Sequence, residues 1–282
     1  MNLAIISVHG CPVRQAGEKD VGGMNIYLLE TAKRIASLGY KVDIFTRRHD
    51  PKDPQIINLQ NNLRLIHINS GPIDAEKNEL FSYLNIFTKE VKNFIKFENN
   101  FYDILSSHYW LSGIVGNDIS VELKIPHVTT FHTLNDLKQK AFPFDEYLPL
   151  RSEHESLIAK TVNHIVVWSN HEKQSLISLY NVDPEKISII PPGVDTKKFY
   201  ERDIEYCRKH LNISLDQKII LFVGRLEKLK GIDILIKVMS TIETLDSQLF
   251  VVGGEGNSPE IKRLKDLAIE LNVRERVLFL GS

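Results

Sequence analysis

Short apolar runs rich in isoleucine and valine alternate along the chain with longer stretches of helical period. Leu3–Val8 has the pattern of a buried strand, and Ile26, Leu29, Ala32 and Ile35 then recur at the spacing of one helix face. Gly39 marks the end of that helix. Val42–Thr46 and Leu63–Ile68 read as the next strands. Leu80–Phe97 predicts an amphipathic helix, with a strand at Tyr102–Ser106 after it. Further strands are expected at His127–Phe131, His164–Trp168 and Ile187–Ile190, and helices at Gly113–Leu123, Leu150–Thr161 and His171–Leu179. Alternation at these lengths predicts an α/β fold whose parallel sheet is covered on both faces.

Pro191-Pro192-Gly193 interrupts this pattern, and Val194–Leu215 is polar and charged. The expected organisation is a first domain over residues 1–195, a linker over 196–216 and a second α/β domain over 217–282. That second series reads as a strand at Lys218–Val223, a helix at Ile232–Ile242, a strand at Gln248–Val252, a helix at Pro259–Leu271 and a strand at Val277–Leu280. It stops at Phe279-Leu280-Gly281-Ser282 with three strands written. A three-stranded parallel sheet leaves an apolar face and an unpaired edge exposed, so the second domain is expected to be incomplete.

Composition narrows the class. The chain has 282 residues, 35 Lys and Arg against 36 Asp and Glu, and a formal net charge of −1. That balance argues against nucleic acid as a partner. A hydrophobic content of 43% is enough for a large core and excludes wholesale disorder. Two cysteines, Cys11 and Cys207, exclude a disulfide scaffold and a four-cysteine zinc site. Apolar runs such as Ile219–Val223 are far too short to span a bilayer, and Met1–Val8 reads as a strand rather than a signal peptide. The expectation is a cytoplasmic protein without a transmembrane segment.

Four segments have residues suited to chemistry. Gly22-Gly23-Met24-Asn25 opens the first helix, where glycine lets backbone approach a ligand and free N–H groups face an anion; a plain helix cap would look the same. The long His9–Val21 loop before it lacks the tight turn and G-x-G-x-x-G of a dinucleotide site, which disfavours a nicotinamide dehydrogenase. Gly224-Arg225-Leu226-Glu227-Lys228-Leu229-Lys230-Gly231 follows a strand, and there Arg225 and Lys230 suit a diphosphate. Val252-Gly253-Gly254-Glu255-Gly256 follows the next strand and suits close approach to a nucleotide, or a simple turn. Ser107-His108-Tyr109-Trp110-Leu111-Ser112-Gly113 and Phe131-His132-Thr133-Leu134 also follow strands, on the same sheet edge as Gly23, and together suggest a pocket. No H-E-x-x-H, C-x-x-C, G-x-S-x-G or G-x-x-x-x-G-K-[ST] occurs, so zinc hydrolase, serine hydrolase and P-loop readings have no anchor.

Taken together, these segments resemble a retaining glycosyltransferase of family four, with the two-Rossmann GT-B fold. The most specific matches are His9-Gly10-Cys11-Pro12, Gly22-Gly23-Met24-Asn25-Ile26-Tyr27, Ser107–Gly113, Pro191-Pro192-Gly193-Val194-Asp195, and Gly224-Arg225 with Lys230-Gly231. The Gly-Gly-Met-Asn form is similar to members that glycosylate an inositol phosphate. The resemblance implies a hexose moved from a nucleotide-sugar donor to a phosphorylated polyol or sugar, with no metal or other cofactor. It implies that Arg225 and Lys230 grip the donor diphosphate, with Gly23 presenting its backbone N–H and Gly254 beside the donor. It implies that His132 faces the donor sugar, and that Asn25, Lys77, Tyr109, Thr133 and Arg151 hold the acceptor and its phosphate. Plainer readings exist: Asn25 as a cap, Tyr109 as a core aromatic, Lys77 and Arg151 as solvated charges. The Gly71–Leu80 loop carrying Lys77 is shorter than its family counterpart. A family glutamate pair that follows the last strand has no counterpart here, so an alternative expectation is a sugar-phosphate-binding remnant without turnover.

Overall fold

The computed structural model describes residues 1–14, 22–77, 79–141, 148–243, 246–254 and 258–281. They divide into two units, Met1–Pro192 and Gly193–Ser282. The first begins with β1 (Asn2–Ser7), α1 (Gly23–Ser37) and β2 (Lys41–Arg47), followed by β3 (Ile56–Gln60), β4 (Leu63–Ile68) and α2 (Leu84–Phe97). Then come β5 (Ile104–His108), α3 (Trp110–Leu123), β6 (His127–Thr130), α4 (Asn135–Ala141), α5 (Pro149–Thr161), β7 (His164–Val167), α6 (Asn170–Tyr180) and β8 (Ile187–Ile189). The sheet order is β3-β4-β2-β1-β5-β6-β7-β8. Successive residues of β1 face opposite layers, as the period of a strand requires. Leu3 and Ile5 pack with Leu28, Ala32 and Ala36 of α1, while Ala4 and Ile6 join Phe87 and Val91 of α2 and Val115 of α3.

One strand departs from the expected parallel arrangement. β3 runs antiparallel to β4 at the sheet edge, joined through Asn61 and Asn62, the latter at φ 64°. Asparagine tolerates that left-handed conformation, which a two-residue hairpin needs. β3 has only half-buried and exposed residues, so its pattern is too polar to stand out as a buried strand. Three helix readings also change. α3 starts at Trp110 rather than Gly113, the run from Leu80 opens with a 3₁₀ turn at Leu80–Tyr83, and α4 forms where no element was expected.

The second unit has α7 (Ile204–His210), β9 (Lys218–Val223), α8 (Ile232–Thr241), β10 (Ser247–Val252), α9 (Pro259–Glu270) and β11 (Val277–Gly281). Its parallel sheet has the order β11-β10-β9. α7 lies within the segment read as a linker; Asp203 caps it by accepting from the Tyr206 N–H. Ile232, Ile236 and Met239 of α8 and Ile261, Leu264 and Ala268 of α9 bury Leu249, Val251 and Val277. Leu221 and Val223 of β9 remain exposed, so an apolar strip of this sheet is uncovered. Among the described residues no helix is long and apolar enough to cross a membrane.

Candidate functional site

The strand order of the first unit reverses direction between β1 and β5. β2 and β4 extend to one side of β1, and β5, β6 and β7 extend to the other. Loops leaving the carboxyl ends of two such strands diverge and open a crevice, where open α/β sheets place their ligands. The His9 ring, just after β1, lies 4.4 Å from the Tyr109 ring, just after β5. The two rings therefore flank the switch point.

Tyr109 is the centre of a cationic cluster. Its ring is buried, with Lys77 Nζ 4.4 Å and Arg151 Cζ 4.7 Å from its centroid. Neither cation is a solvated surface charge: Lys77 is half-buried and Arg151 is 6% exposed. Arg151 Nη2 donates to the Thr133 carbonyl at 2.8 Å and to its hydroxyl at 2.9 Å. Arg151 Nε donates to Glu155 Oε1 at 2.7 Å, one helical turn along α5. Glu155 is fully buried, and its other oxygen accepts from the Asn135 N–H and the Tyr180 hydroxyl. Burial pushes the Glu155 carboxyl up; Arg151 and the two further donors oppose that shift. The arrangement braces one guanidinium from behind and presents cations around an aromatic face.

A second group adjoins it. His132 Nε2 and His108 Nδ1 lie 2.9 Å apart, and the His132 ring is 5.6 Å from Tyr27 and 5.2 Å from Trp168. Burial holds His108 at about 4, and burial together with His108 keeps His132 well below its usual value. His9 is likewise pushed down, first by burial and then by Lys77, His132 and Arg151. All three imidazoles are neutral at pH 7, so the local positive charge comes from Lys77 and Arg151. Tyr109 and His132 have φ of 77° and 63°. Such backbone strain in bulky residues persists only where surrounding structure enforces it, and it gathers at functional sites.

Asn25 and Gly23 belong to α1. Asn25 is buried and its Nδ2 donates to the Cys11 carbonyl at 3.0 Å, tying the loop after β1 to the helix. Gly10, at φ 76°, leaves room for that amide, since a Cβ there would sit 2.8 Å from Asn25 Oδ1. Gly22 caps the helix without a side-chain bond, and the first turn has no acidic residue. Among the described residues no side chain caps the first-turn N–H groups of α1, an arrangement that suits an anion. Residues 15–21 of the preceding loop lie outside the described residues.

In the second unit, the Gly224–Gly231 loop is anchored by buried Leu226, with Arg225 and Lys230 exposed. Arg225 Nη1 meets Glu227 Oε1 at 2.6 Å, an exposed pair of small energetic consequence that a stronger anion can displace. Gly253 and Gly254 pack onto this loop. A Cβ at Gly253 would lie 1.9 Å from the Gly224 carbonyl oxygen, and one at Gly254 would lie 2.6 Å from Leu226. These glycines bring two strand-end loops together; Glu255 and Gly256 lie outside the described residues.

The structure thus gathers Lys77, Tyr109, Thr133 and Arg151 into one cluster beside His132, sets Asn25 and Gly23 on α1, and puts Arg225, Lys230 and Gly254 in the second unit. His9 and Tyr27 lie in motifs of the resemblance, which gives neither of them a role; Glu155 and Trp168 carry no expectation. Of these two only Glu155 has a signal, its i+4 spacing from Arg151 on a helix.

A sheet with its site at this switch point, followed by a second α/β unit with a basic strand-end loop, has the element order of a GT-B glycosyltransferase. The model of Glycosyltransferase Family 4 matches residues 21–198, and that of Glycosyl transferases group 1 matches residues 203–282. The chain belongs to Glycosyltransferase Family 4 and has the GT-B fold. D-inositol 3-phosphate glycosyltransferase of Corynebacterium aurimucosum is 36% identical over all of this chain and 69% of its own length. The corresponding enzyme of Mycolicibacterium vanbaalenii is 34% identical over 99% of this chain and 65% of its own length. Sucrose-phosphate synthase of Thermosynechococcus elongatus superposes with a TM-score of 0.90 at 30% identity, over all of this chain and 70% of that one. Anabaena HepE in complex with UDP and glucose, 16% identical with a TM-score of 0.73 over all of this chain and 69% of that one, shares the fold.

Proposed function

We propose that this glycosyltransferase moves a hexose from a nucleotide-sugar donor to a phosphorylated polyol or sugar, with retention of configuration, in the cytoplasm. The observation that carries this reading is the pair of cations on the Tyr109 ring, one of them braced by a buried carboxylate. A phosphate monoester supplies the dianion that such a pair lacks, and an aromatic face suits the carbon skeleton attached to it. The names of the inositol-phosphate and sucrose-phosphate relatives agree with it.

In this reading Arg225 and Lys230 neutralise the diphosphate, Gly254 lets the nucleotide approach, Gly23 offers its N–H to a donor phosphate, and His132 serves the transferred sugar. Asn25, Lys77, Tyr109, Thr133 and Arg151 hold the acceptor. The acceptor hydroxyl oxygen bonds to the anomeric carbon on the face from which the diphosphate departs. The bond from that carbon to the diphosphate oxygen breaks, and the hydroxyl proton passes to the leaving phosphate. Side-chain cations at the diphosphate take the role a metal would otherwise fill, so the reaction proceeds without one.

The test incubates the chain with UDP-glucose and other nucleotide sugars, and with inositol 3-phosphate, fructose 6-phosphate and their unphosphorylated forms. Transfer is expected to the phosphorylated acceptors alone. Arg225→Ala and Lys230→Ala should each slow it by about a hundredfold, the effect of losing one preorganised donor to developing charge. Turnover unchanged in both variants contradicts the assignment. Binding of the phosphorylated acceptor without transfer from any donor supports the non-catalytic alternative.

A further inference from the structure

Arg47, at the end of β2, is the deepest cation of the first unit that the reading above does not use. It is 3% exposed, and among the described residues no carboxylate pairs with it. Its partners are backbone carbonyls of an exposed loop: Nη1 donates to Pro72 at 2.7 Å, and Nη2 to Ile73 at 3.2 Å and Ala75 at 3.4 Å. Burying a guanidinium without a counter-ion costs several kcal/mol unless its donors are well used. Here the two Nη groups hold three carbonyls of one loop, while Nε has no partner among the described residues.

That loop is held at several points, and Arg47 holds its exposed middle. Residues 71–74 are all exposed. Its start is fixed where Ser70 Oγ donates to the Tyr83 carbonyl and where Gly71, at φ 69°, lies against the Tyr83 ring. Its far end carries Lys77, whose ammonium sits on Tyr109. Between these points the three bonds from Arg47 hold residues 72–75, together with the turn in which the Ala75 N–H donates to the Pro72 carbonyl and the packing of Ala75 on the core; the next residue, Glu76, is held by its N–H donating to Glu79 Oε2 at 2.8 Å and its carbonyl accepting from the Glu79 N–H. Among the described residues the other charges acting on Arg47 are Arg14 and Asp74, which act on it in opposite directions.

We propose that Arg47 is a positioning residue: it clamps the Pro72–Ala75 backbone from below so that Lys77 is delivered to the Tyr109 face, and thereby sets affinity for a phosphorylated acceptor without touching it. The claim that the acceptor is phosphorylated rests on the function proposed above; the claim that Arg47 orders the loop does not.

Two measurements on the 282-residue chain separate these claims. Hydrogen exchange is followed at the Ala75 and Leu80 amides in Arg47→Met and Arg47→Lys, without ligand. Arg47→Lys keeps the buried charge but not the forked reach, so it serves if Arg47→Met fails to fold. Exchange at both amides should rise about tenfold or more, while β2 and β4 amides keep their protection. Unchanged exchange overturns the clamp. Calorimetry then compares inositol 3-phosphate binding in Arg47→Lys, Lys77→Ala and the double variant. Arg47→Lys should weaken binding about tenfold, and the double variant should be no weaker than Lys77→Ala, since both changes remove one contact. Additive losses overturn the positioning role. A wild-type chain that binds no phosphorylated acceptor ends the acceptor reading, and the exchange result still decides the clamp.

Discussion

Glu155→Ala lowers the stability of the first unit by about 3–5 kcal/mol, the usual consequence of removing one partner of a buried ion pair. The carboxylate is fully buried and accepts from Arg151 Nε, the Asn135 N–H and the Tyr180 hydroxyl. Its loss leaves an uncompensated guanidinium and two unsatisfied donors in the interior. Urea unfolding monitored through the first unit measures the change, and a loss below about 1 kcal/mol would show that the group is not the brace described here. Replacing both partners separates folding from binding. Glu155→Leu with Arg151→Met should recover the part of the loss that comes from the unpaired guanidinium, while the Asn135 N–H and the Tyr180 hydroxyl stay without their acceptor. That double variant should still bind phosphate poorly, since the guanidinium on Tyr109 is gone. Recovery of both properties would remove Arg151 from the site.

Gly253→Ala is expected to cost the second unit about 4 kcal/mol, at the upper end of single-substitution effects. Two penalties combine at this position. The backbone sits at φ 133°, a region that L side chains rarely adopt, and a Cβ would meet the Gly224 carbonyl oxygen at 1.9 Å. Relief requires the two strand-end loops to part, which also breaks the bond from the Gly224 N–H to the Val252 carbonyl. Because the chain has two units, a single melting temperature is not the right measure. Hydrogen exchange resolved by unit should show β9 and β10 losing protection while β1 and β5 keep theirs. Equal protection in both units would mean that the loops are not packed as described.

The alternation of apolar runs made most of the first unit legible, because strands buried on both faces and helices with one apolar stripe leave strong periods. β3 left no such trace: as an edge strand it buries no continuous run, and its hairpin depends on Asn62 rather than on hydrophobicity. α4 and α7 are seven residues each, too short for a helical period to stand above the background. In the site, Tyr109, Thr133, Lys77 and Arg151 come from four separate strand-end or helical segments, and only the family resemblance linked them in sequence. Their meeting depends on the strand order, which periodicity does not encode. His9 and His108 could be seen as histidines at strand ends, yet their neutrality follows from burial, a property of the fold. Trp168 and Tyr27 show the same limit. Each reads as an ordinary packing aromatic until β7 and α1 bring both against His132.

The cationic cluster also explains why the site can be both charged and stable. Arg151 is offset by Glu155 behind it, whereas Lys77 is half-buried and open to a ligand. An incoming phosphate therefore meets one preorganised guanidinium and one adaptable ammonium, and little reorganisation is needed. His9, His108 and His132 add no charge at pH 7, since burial holds His108 at about 4 and keeps the other two well below the usual imidazole value.

The most direct check is a calorimetric titration of the chain with inositol 3-phosphate and, separately, with inositol, repeated for Lys77→Ala. The account predicts measurable binding of the phosphorylated compound only, weakened about tenfold when the ammonium on Tyr109 is removed. Equal binding of both compounds, or binding of the phosphate ester untouched by Lys77→Ala, would contradict it.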